Sequence, residues 1–432
     1  TSDRMILLTT SLLVKVNVML PLDTINNYGQ ITDKKFLQDS FAKLAKAHVS
    51  GVMMDVWWGI SEPNPGNYNF DGYYEVISMA INAGLLVQPV MSFHKCGGNV
   101  GDDCNVPLPQ WAHRIAKQKQ LYYMDQWGNQ QEDYISASAD SEQVFPGLNG
   151  LRTPIQIYQD FMQAFKTKMY PFLSKIDDIQ VGAGPCGESR YPAYPLNRWS
   201  FPNVGAFQAF DPLFLRKFQE KAKLAGKNYD SPPRDAGNYN SKPHETNFFK
   251  NGFKTEYGQF FLGFYEDMLV QHVKQVVRAA KKVFSQQISI KIAGIHWWYQ
   301  SEHHAAELTA GYYNANGKNA YLHFMEEFGP TVTYDFTCLE MTNQQQAGNN
   351  AGCKPEDLIK QVWDAAKQTN TKVSGENALP TYDQRGYQQI LKQIKNASGR
   401  FVAFTYLRLS PRLIQQSNFD QFAKFVDFAR KI

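Results

Sequence analysis

The strongest constraint on this chain is a repeated alternation of short β-rich runs with longer stretches that carry apolar residues at helical spacing. The runs fall at residues 14–20, 51–57, 86–93, 179–182, 289–294, 332–336, 372–374 and 401–405. Between them, 32–48 carries Phe36, Leu37, Phe41, Leu44 and Ala45 on one helical face, and 260–284 carries Phe261, Phe264, Met268, Val273 and Val277 likewise. Strands that alternate with helices pair in parallel, because each helix carries the chain back across the sheet. The pattern predicts an α/β fold of about eight βα units.

A chain of 432 residues is long enough for two or three domains, and equally for one α/β barrel with insertions. An apolar fraction of 43% with 14% aromatic residues excludes a disordered chain and supplies one large core. The net charge of +4 is small and its lysines and arginines are dispersed, so nucleic acid is not an expected partner. No apolar run approaches the roughly 20 residues that span a bilayer, and no membrane association is expected. The first 13 residues hold an apolar stretch without an initial Met, which is read as a trace of processing. Five cysteines do not make a disulfide framework, and no pair of CxxC motifs exists to hold zinc.

Two connections, about 95–138 and 188–253, exceed what a crossover helix needs and are rich in Pro, Gly, Asn and aromatic residues. They are expected to form a lobe over one face of a single catalytic domain covering 1–432. Neither an internal repeat nor an appended module after the last helix, 418–432, is read from the sequence.

Polar residues gather at or just beyond the predicted strand ends: Asp55, His94, Glu188, Lys291 with His296, Thr337, Glu376 and Arg408. In a closed α/β barrel those ends share one mouth. Two glutamates stand out, in Gly184-Pro185-Cys186-Gly187-Glu188-Ser189-Arg190-Tyr191-Pro192 and in Gly375-Glu376-Asn377-Ala378-Leu379-Pro380. Two carboxyls delivered separately to one pocket suit glycosidic-bond hydrolysis, where an acid protonates the leaving oxygen and a second carboxylate activates water or attacks the sugar. For Glu188 alone, a salt bridge to Arg190 at a loop entrance is as good a reading.

Other motifs lead elsewhere or nowhere. Gly97-Gly98-Asn99-Val100-Gly101-Asp102 lacks the Lys-Ser/Thr of a phosphate loop and is read as a glycine-hinged lid, a plain turn being the alternative. Glu302, His303, His304 and Glu307 lack the spacing that sets two histidines on one helical face, so they are read as residues of a helix start and no metal site is expected. Trp57, Trp58, Trp297 and Trp298 are core residues by default, with one or two shaping a cleft at the mouth.

Seven motifs together resemble the β-amylase family (glycoside hydrolase family 14): Asp55-Val56-Trp57-Trp58-Gly59, Ser92 to Asp102, the Glu188 segment, Gly294-Ile295-His296-Trp297-Trp298-Tyr299, Phe336-Thr337-Cys338-Leu339-Glu340-Met341, Gly375-Glu376-Asn377-Ala378-Leu379 and Thr405-Tyr406-Leu407-Arg408-Leu409-Ser410. Their order and spacing match from about residue 14 to 410. The resemblance implies a (β/α)8 TIM barrel, with a smaller lobe built from loops after strands 3, 4 and 5, that removes β-maltose from non-reducing ends of α-1,4-glucans with inversion. It implies Glu188 as general acid and Glu376 as general base. It further implies Asp55, His94, Lys291, His296, Thr337, Asn377, Ala378 and Arg408 as substrate contacts and Asp102 as a lid residue. Thr337 is read as positioning the base or its water and Leu379 as a wedge between sugar rings, against ordinary loop packing for both. The acid needs an upward pKa shift, whereas the base is expected to stay ionised beside a cation such as Lys291. Cys186 and Ser189 depart from the Ala and Leu usual beside the acid.

The expected partner is therefore an α-1,4-glucan (starch, glycogen or maltooligosaccharides), the chain is expected to be a monomer, and no cofactor is needed. A retaining barrel glycosidase and a catalytically silent glucan-binding protein remain the competing readings. Cys96 and Cys104 bracket the lid with a spacing shared by some bacterial members, and a disulfide is expected there, two reduced thiols being the alternative. That bridge favours an extracellular or vesicular location over the cytoplasm, and the Asn396-Ala397-Ser398 glycosylation sequon is compatible with it.

Overall fold

The computed structural model describes residues 13–432, so the apolar N-terminal stretch lies outside the described residues except for Leu13. Eight parallel strands close into a barrel: β1 (Lys15–Met19), β2 (Gly51–Trp57), β3 (Leu86–Ser92), β4 (Asp178–Val181), β5 (Gln287–Lys291), β6 (Val332–Phe336), β7 (Val373–Glu376) and β8 (Phe401–Tyr406). Neighbours in sequence are neighbours in the barrel, and β8 pairs back onto β1. The principal outer helices are α1 (Lys34–Lys46), α2 (Asp71–Asn82), α3 (Pro154–Lys168), α4 (Glu256–Val283), α5 (Ala320–Phe328), α6 (Pro355–Thr369), α7 (Gln384–Asn396) and α8 (Gln416–Ala429). This is the TIM barrel expected.

Local chemistry sets the helix limits. The Asp33 carboxylate accepts from the Phe36 N–H at 2.9 Å and starts α1, whose Leu37, Phe41 and Leu44 then bury against the barrel. Thr153 and Gln156 form a reciprocal cap on α3. Thr255 caps the 28-residue α4, and its buried stripe includes Phe261, Tyr265, Leu269, Val273 and Val276.

One boundary differs from expectation in a way that matters. The seventh strand runs to Glu376 instead of stopping at Ser374, because after a register shift at Val373/Ser374 it pairs with β8 through Glu376 and Thr405. The glutamate is thus held in the sheet.

The connection after β3 contains the helix Gln110–Gln118 and two hairpins, Tyr122–Met124 with Gln130–Ile135 and Phe145–Gly147 with Gly150–Arg152. The connection after β4 contains the helix Pro212–Leu224, and that after β5 the short helix Ala305–Ala310. These loops fasten to each other and to α4. Tyr191 stacks on Tyr265 with ring centroids 3.8 Å apart and donates to its carbonyl at 2.7 Å. Ser138 and Tyr239 donate to the buried Asp211 and to Asp125 at 2.6 and 2.7 Å.

Inside the barrel the inward positions of β1 to β3 are mixed, with the polar Asn17, Asp55 and Gln88 beside one apolar cluster. Met19, Met53 and Val90, on β1 to β3, form a small apolar cluster closed by Leu407. On the opposite wall Gln180, Ser289, Lys291, Asp335 and Ser374 of β4 to β7 are polar and largely buried. Asp178 belongs to this wall, and it accepts from Gln88 at 2.9 Å and Ser289 at 2.5 Å while burial pushes its carboxyl up to about 7.

Candidate active site

A cavity of about 300 Å³ opens at the C-terminal mouth of the barrel, where the strand-end residues converge. Asp55, His94, Asp102, Glu188, Lys291, Thr337, Glu376, Ala378 and Arg408 all line it.

Glu376 stands at the end of β7 with 2% of its surface exposed. Its Oε1 lies 2.7 Å from Lys291 Nζ, on β5 two strands away, and its Oε2 has no hydrogen-bond donor. Burial pushes the Glu376 carboxyl up to about 8, and the neighbouring Asp335 adds to the rise while Lys291 opposes it. The expectation of a base kept ionised by Lys291 therefore meets a burial effect that sequence could not reveal. Lys291 is itself held firmly charged: the carboxylates of Glu376, Asp335 and Glu188 together outweigh the cost of its burial.

Glu188 is delivered by a loop. After β4 the chain makes a tight turn at Pro185–Gly187, with Cys186 at φ 57° and Gly187 at φ 75°. Gly184 admits no side chain, since a Cβ there would stand 2.4 Å from the Glu188 carbonyl and 2.5 Å from that of Arg190. Beyond the turn Glu188 forms a parallel bridge with Lys291, and the Ser189 N–H donates to the Lys291 carbonyl at 2.8 Å. One residue of β5 thus anchors the Glu188 loop through its backbone and Glu376 through its ammonium. Arg190 Nε donates to Glu188 Oε2 at 2.5 Å, and its Nη2 approaches Cys186 Sγ at 3.7 Å. The salt bridge that sequence offered as the alternative to a functional Glu188 is present, and so is the cavity; the two are one arrangement.

The remaining wall is built from neighbouring strands. Ser92 Oγ donates to Asp55 at 2.6 Å, and burial pushes the Asp55 carboxyl up against the opposing pull of that bond, Arg408 and Lys291. His94 packs edge-on to Trp57 with centroids 5.0 Å apart, and burial, followed by Lys291 and Arg190, drives it down to about 3. It is neutral throughout the ordinary working range, with a buried Nδ1 that has no partner. Thr337 follows β6 directly, and a Cβ on Gly294 would collide with its Cγ2 at 2.4 Å.

Three predicted residues do not line the cavity. Asn377 is fully buried and clamps the wall from behind: its Nδ2 donates to the carbonyls of Leu407 at 2.8 Å and Leu379 at 3.1 Å, and its Oδ1 accepts from the Leu407 N–H at 2.9 Å. Leu379 is half exposed on the rim. His296 packs against Phe201 and Trp297, and burial pushes it down to about 4. Of the four tryptophans, Trp57 and Trp297 reach the cavity and Trp58 and Trp298 do not.

The lid candidate at 97–102 has positive φ at Gly97, Gly98 and Gly101. Asp102 turns its carboxylate inward, accepting from the Gly97 N–H at 3.0 Å and Asn99 Nδ2 at 3.4 Å, and burial pushes its carboxyl up. The Leu196 N–H donates to the Gly98 carbonyl at 3.0 Å, tying the loop to the segment that follows the Glu188 turn. Cys96 and Cys104 face each other below the loop with Cα atoms 5.7 Å apart, within the span of a disulfide. Glu302, His303, His304 and Glu307 precede or open the Ala305–Ala310 helix, where Glu307 binds His304, Asn314 and Tyr321.

Sequence reading missed several contributors. Tyr194 and Trp199 line the cavity from the 188–253 connection, although no strand end marks them. Glu340 accepts from the Ala378 and Leu379 N–H groups at 3.0 and 2.7 Å and so fixes the segment after Glu376. Gln180 also lines the cavity and donates to Asp335, which lies outside the lining; for Asp335 an acidic residue at an inward strand position was the available signal.

A family model described as Glycosyl hydrolase family 14 matches residues 17–431. Beta-amylase 1, chloroplastic, of Oryza sativa subsp. japonica is 45% identical over 433 residues, covering 96% of this chain and 80% of that protein. Beta-amylase 1, chloroplastic, of Arabidopsis thaliana is 43% identical over 96% of this chain and 75% of that protein. Among solved structures, the catalytic domain of beta-amylase from Paenibacillus polymyxa superposes with a TM-score of 0.81 at 27% identity, covering 97% of this chain and 99% of that one.

Proposed function

The chain belongs to glycosyl hydrolase family 14, and we infer from that membership, with the names of its relatives, a starch-degrading exo-hydrolase that releases maltose. The division of labour within the cavity is our proposal. Glu188 acts as general acid, protonating the glycosidic oxygen as the C–O bond breaks. Glu376 acts as general base, taking a proton from the water that attacks the anomeric carbon from the opposite face. Backside attack inverts that carbon, so the new reducing end is β. The observation that carries the reading is that two carboxyls reach one cavity from separate elements, each with its own cation, Arg190 for Glu188 and Lys291 for Glu376.

Asp55, His94, Lys291, Ala378 and Arg408 line the sugar cleft in this reading, His296 contributes at its outer aromatic end, and Asn377 acts by holding Leu407 and Leu379 in place. Thr337 orients the attacking water and Leu379 divides the sugars at the cleavage point. Asp102 belongs to a lid whose closure excludes water from the reacting bond. The long connections form the walls of a single catalytic domain, and the chain acts as a monomer.

The Cα spacing of Cys96 and Cys104 supports a disulfide under the lid. Two relatives are named chloroplastic, which favours a plastid setting for this chain as well; the disulfide is the support for an oxidising extracellular or vesicular one. Among the described residues no helix is long and apolar enough to cross a membrane.

Soluble starch as substrate, followed by NMR in the first minutes, tests the reading. β-Maltose is expected. Early α-maltose indicates a retaining route, and absence of turnover indicates a binding protein on the same fold.

A further inference from the structure

The 97–102 loop is held over the cavity by few contacts. A Cβ on Gly98 or Gly101 would meet nothing within 4 Å beyond its chain neighbours, and Val100 is 67% exposed. Packing therefore adds little, and hydrogen bonds decide where the loop sits. Its base is fixed, because Cys96 and Val106 exchange N–H···O bonds at 2.9 and 3.1 Å. Above that base, residues 97–103 make two hydrogen bonds to other parts of the described chain. One runs from the Leu196 N–H to the Gly98 carbonyl at 3.0 Å, the other from Asn99 Nδ2 to Asp133 Oδ2 at 3.2 Å. The first is a backbone bond that side-chain substitution leaves in place. The second depends on two side chains.

Asp133 lies on the hairpin strand Gln130–Ile135 and is 6% exposed. Its carbonyl accepts from the Lys95 N–H at 2.9 Å, so one residue pins the entry to the loop through its backbone and the middle of the loop through its carboxylate. Asn99 is 5% exposed, and its amide nitrogen carries two N–H groups. One serves Asp133 and the other Asp102 Oδ2, at 3.4 Å. Two carboxylates this near one another repel unless a donor stands between them, and the Asn99 amide is that donor.

Asp102 Oδ2 also accepts from the Gly97 N–H at 3.0 Å, so that oxygen is engaged within the loop. The other carboxylate oxygen takes none of these bonds and is left for a sugar hydroxyl, at a cavity that Asn99 and Asp102 both line. We propose that Asp133 is a positioning residue for the lid: through the Asn99 amide it fixes the Asp102 carboxylate over the cavity. A polar group held in place by a buried partner behind it keeps the geometry that binding requires, whereas a displacement of about 1 Å is costly. The Lys95 ammonium is the lesser influence on Asp133. It is partly exposed and 3.5 Å from Oδ1, and an ion pair in contact with water contributes little.

This inference rests on Asp102 serving as a lid residue, and the test separates the two claims. With maltoheptaose as substrate, Asp133→Ala and Asn99→Ala should each lower kcat/KM about three- to tenfold. If Asp133 acts through Asn99, adding Asp133→Ala to Asn99→Ala should change kcat/KM by less than about twofold. Losses that multiply in the double variant overturn the proposal, as does parental kcat/KM in Asp133→Ala. Asp133→Asn keeps an oxygen for the Asn99 amide and should recover most of the loss; a loss as deep as that of Asp133→Ala would assign the effect to the Lys95 ion pair and overturn the route through Asn99. The second readout needs no stable Asp133 variant: amide hydrogen exchange followed by mass spectrometry in Asn99→Ala. Segment 97–103 should exchange at least about tenfold faster than in the parent while the barrel strand Lys15–Met19 is unchanged. Unchanged exchange in 97–103 overturns the proposal even where Asp102→Asn is impaired, and the lid reading then stands without this tether. Parental kinetics in Asp102→Asn together with faster exchange in Asn99→Ala would remove the lid reading and leave the tether.

Discussion

The Glu376 and Glu188 sites differ in almost every physical respect. Glu376 is the last residue of a barrel strand, 2% exposed, with its ammonium partner two strands away in the same sheet. Glu188 sits beyond a turn that needs positive φ at two successive residues, and 19% of its side chain is exposed beside Arg190. A base that must hold one water at a fixed distance gains from a rigid sheet. An acid that must meet a leaving group, and then be reprotonated for the next cycle, suits a loop in contact with solvent.

The largest test of this contrast is loss of each carboxyl. Glu188→Gln and Glu376→Gln should each lower kcat by about 10² to 10⁴ or more with little change in Tm, because size is kept and proton transfer is lost. A maltosyl substrate whose leaving group needs no protonation should restore Glu188→Gln far more than Glu376→Gln. Equal rescue of both would erase the proposed difference in role.

Lys291→Met should come next. It leaves Glu376 buried without its cation, a change worth about 3 to 5 kcal/mol in stability for a broken buried pair. Glu376 is already raised to about 8 with Lys291 opposing, so its proton affinity should climb further. The base is needed ionised, so activity is lost as pH falls through its titration, and the acid limb in this variant should move to higher pH. His94 and His296, driven down to about 3 and 4 by burial, are neutral there and cannot produce that limb. An unmoved limb in Lys291→Met would disconnect Lys291 from the base.

On the Glu188 side, Asp102→Asn should lower kcat/KM about three- to tenfold by loosening the lid, with thermal stability within about 0.5 kcal/mol of the parent. Identical kinetics on short and long maltooligosaccharides would remove Asp102 from the mechanism. The smallest effect should come from the bridge beneath the lid. Reduction of Cys96–Cys104 should destabilise by about 2 to 3 kcal/mol on the loop-entropy model and change kcat less than Asp102→Asn does. Recovery of both thiols alkylated from non-reduced protein would show that no bridge forms.

Much of this site was legible in the chain because strand C-termini in a barrel all face one way. Asp55, His94, Glu188, Lys291, Thr337, Glu376 and Arg408 could be assigned to one mouth from their position after β-rich runs, and the cavity contains all seven. His296, assigned in the same way, packs against Phe201 and Trp297 outside its lining. The failures share a cause. Asn377 and Leu379 flank Glu376 in sequence, yet one is buried behind the wall and the other half exposed on the rim, because side-chain direction after a strand end depends on loop contacts. Tyr194 and Trp199 enter from a connection with no periodicity to read.

The sequence by itself determined the number and order of the βα units, since strand and helix periods are local properties, and it determined which acidic segments follow strands. Only the tertiary structure decided that β7 extends to Glu376, that Arg190 both pairs with Glu188 and borders the cavity, and that Lys291, Asp335 and Glu376 converge. Those outcomes depend on inter-strand register and on how far each charge is removed from water. Both are set by parts of the chain distant in sequence, and both control the energy of a charge far more strongly than its neighbours along the backbone.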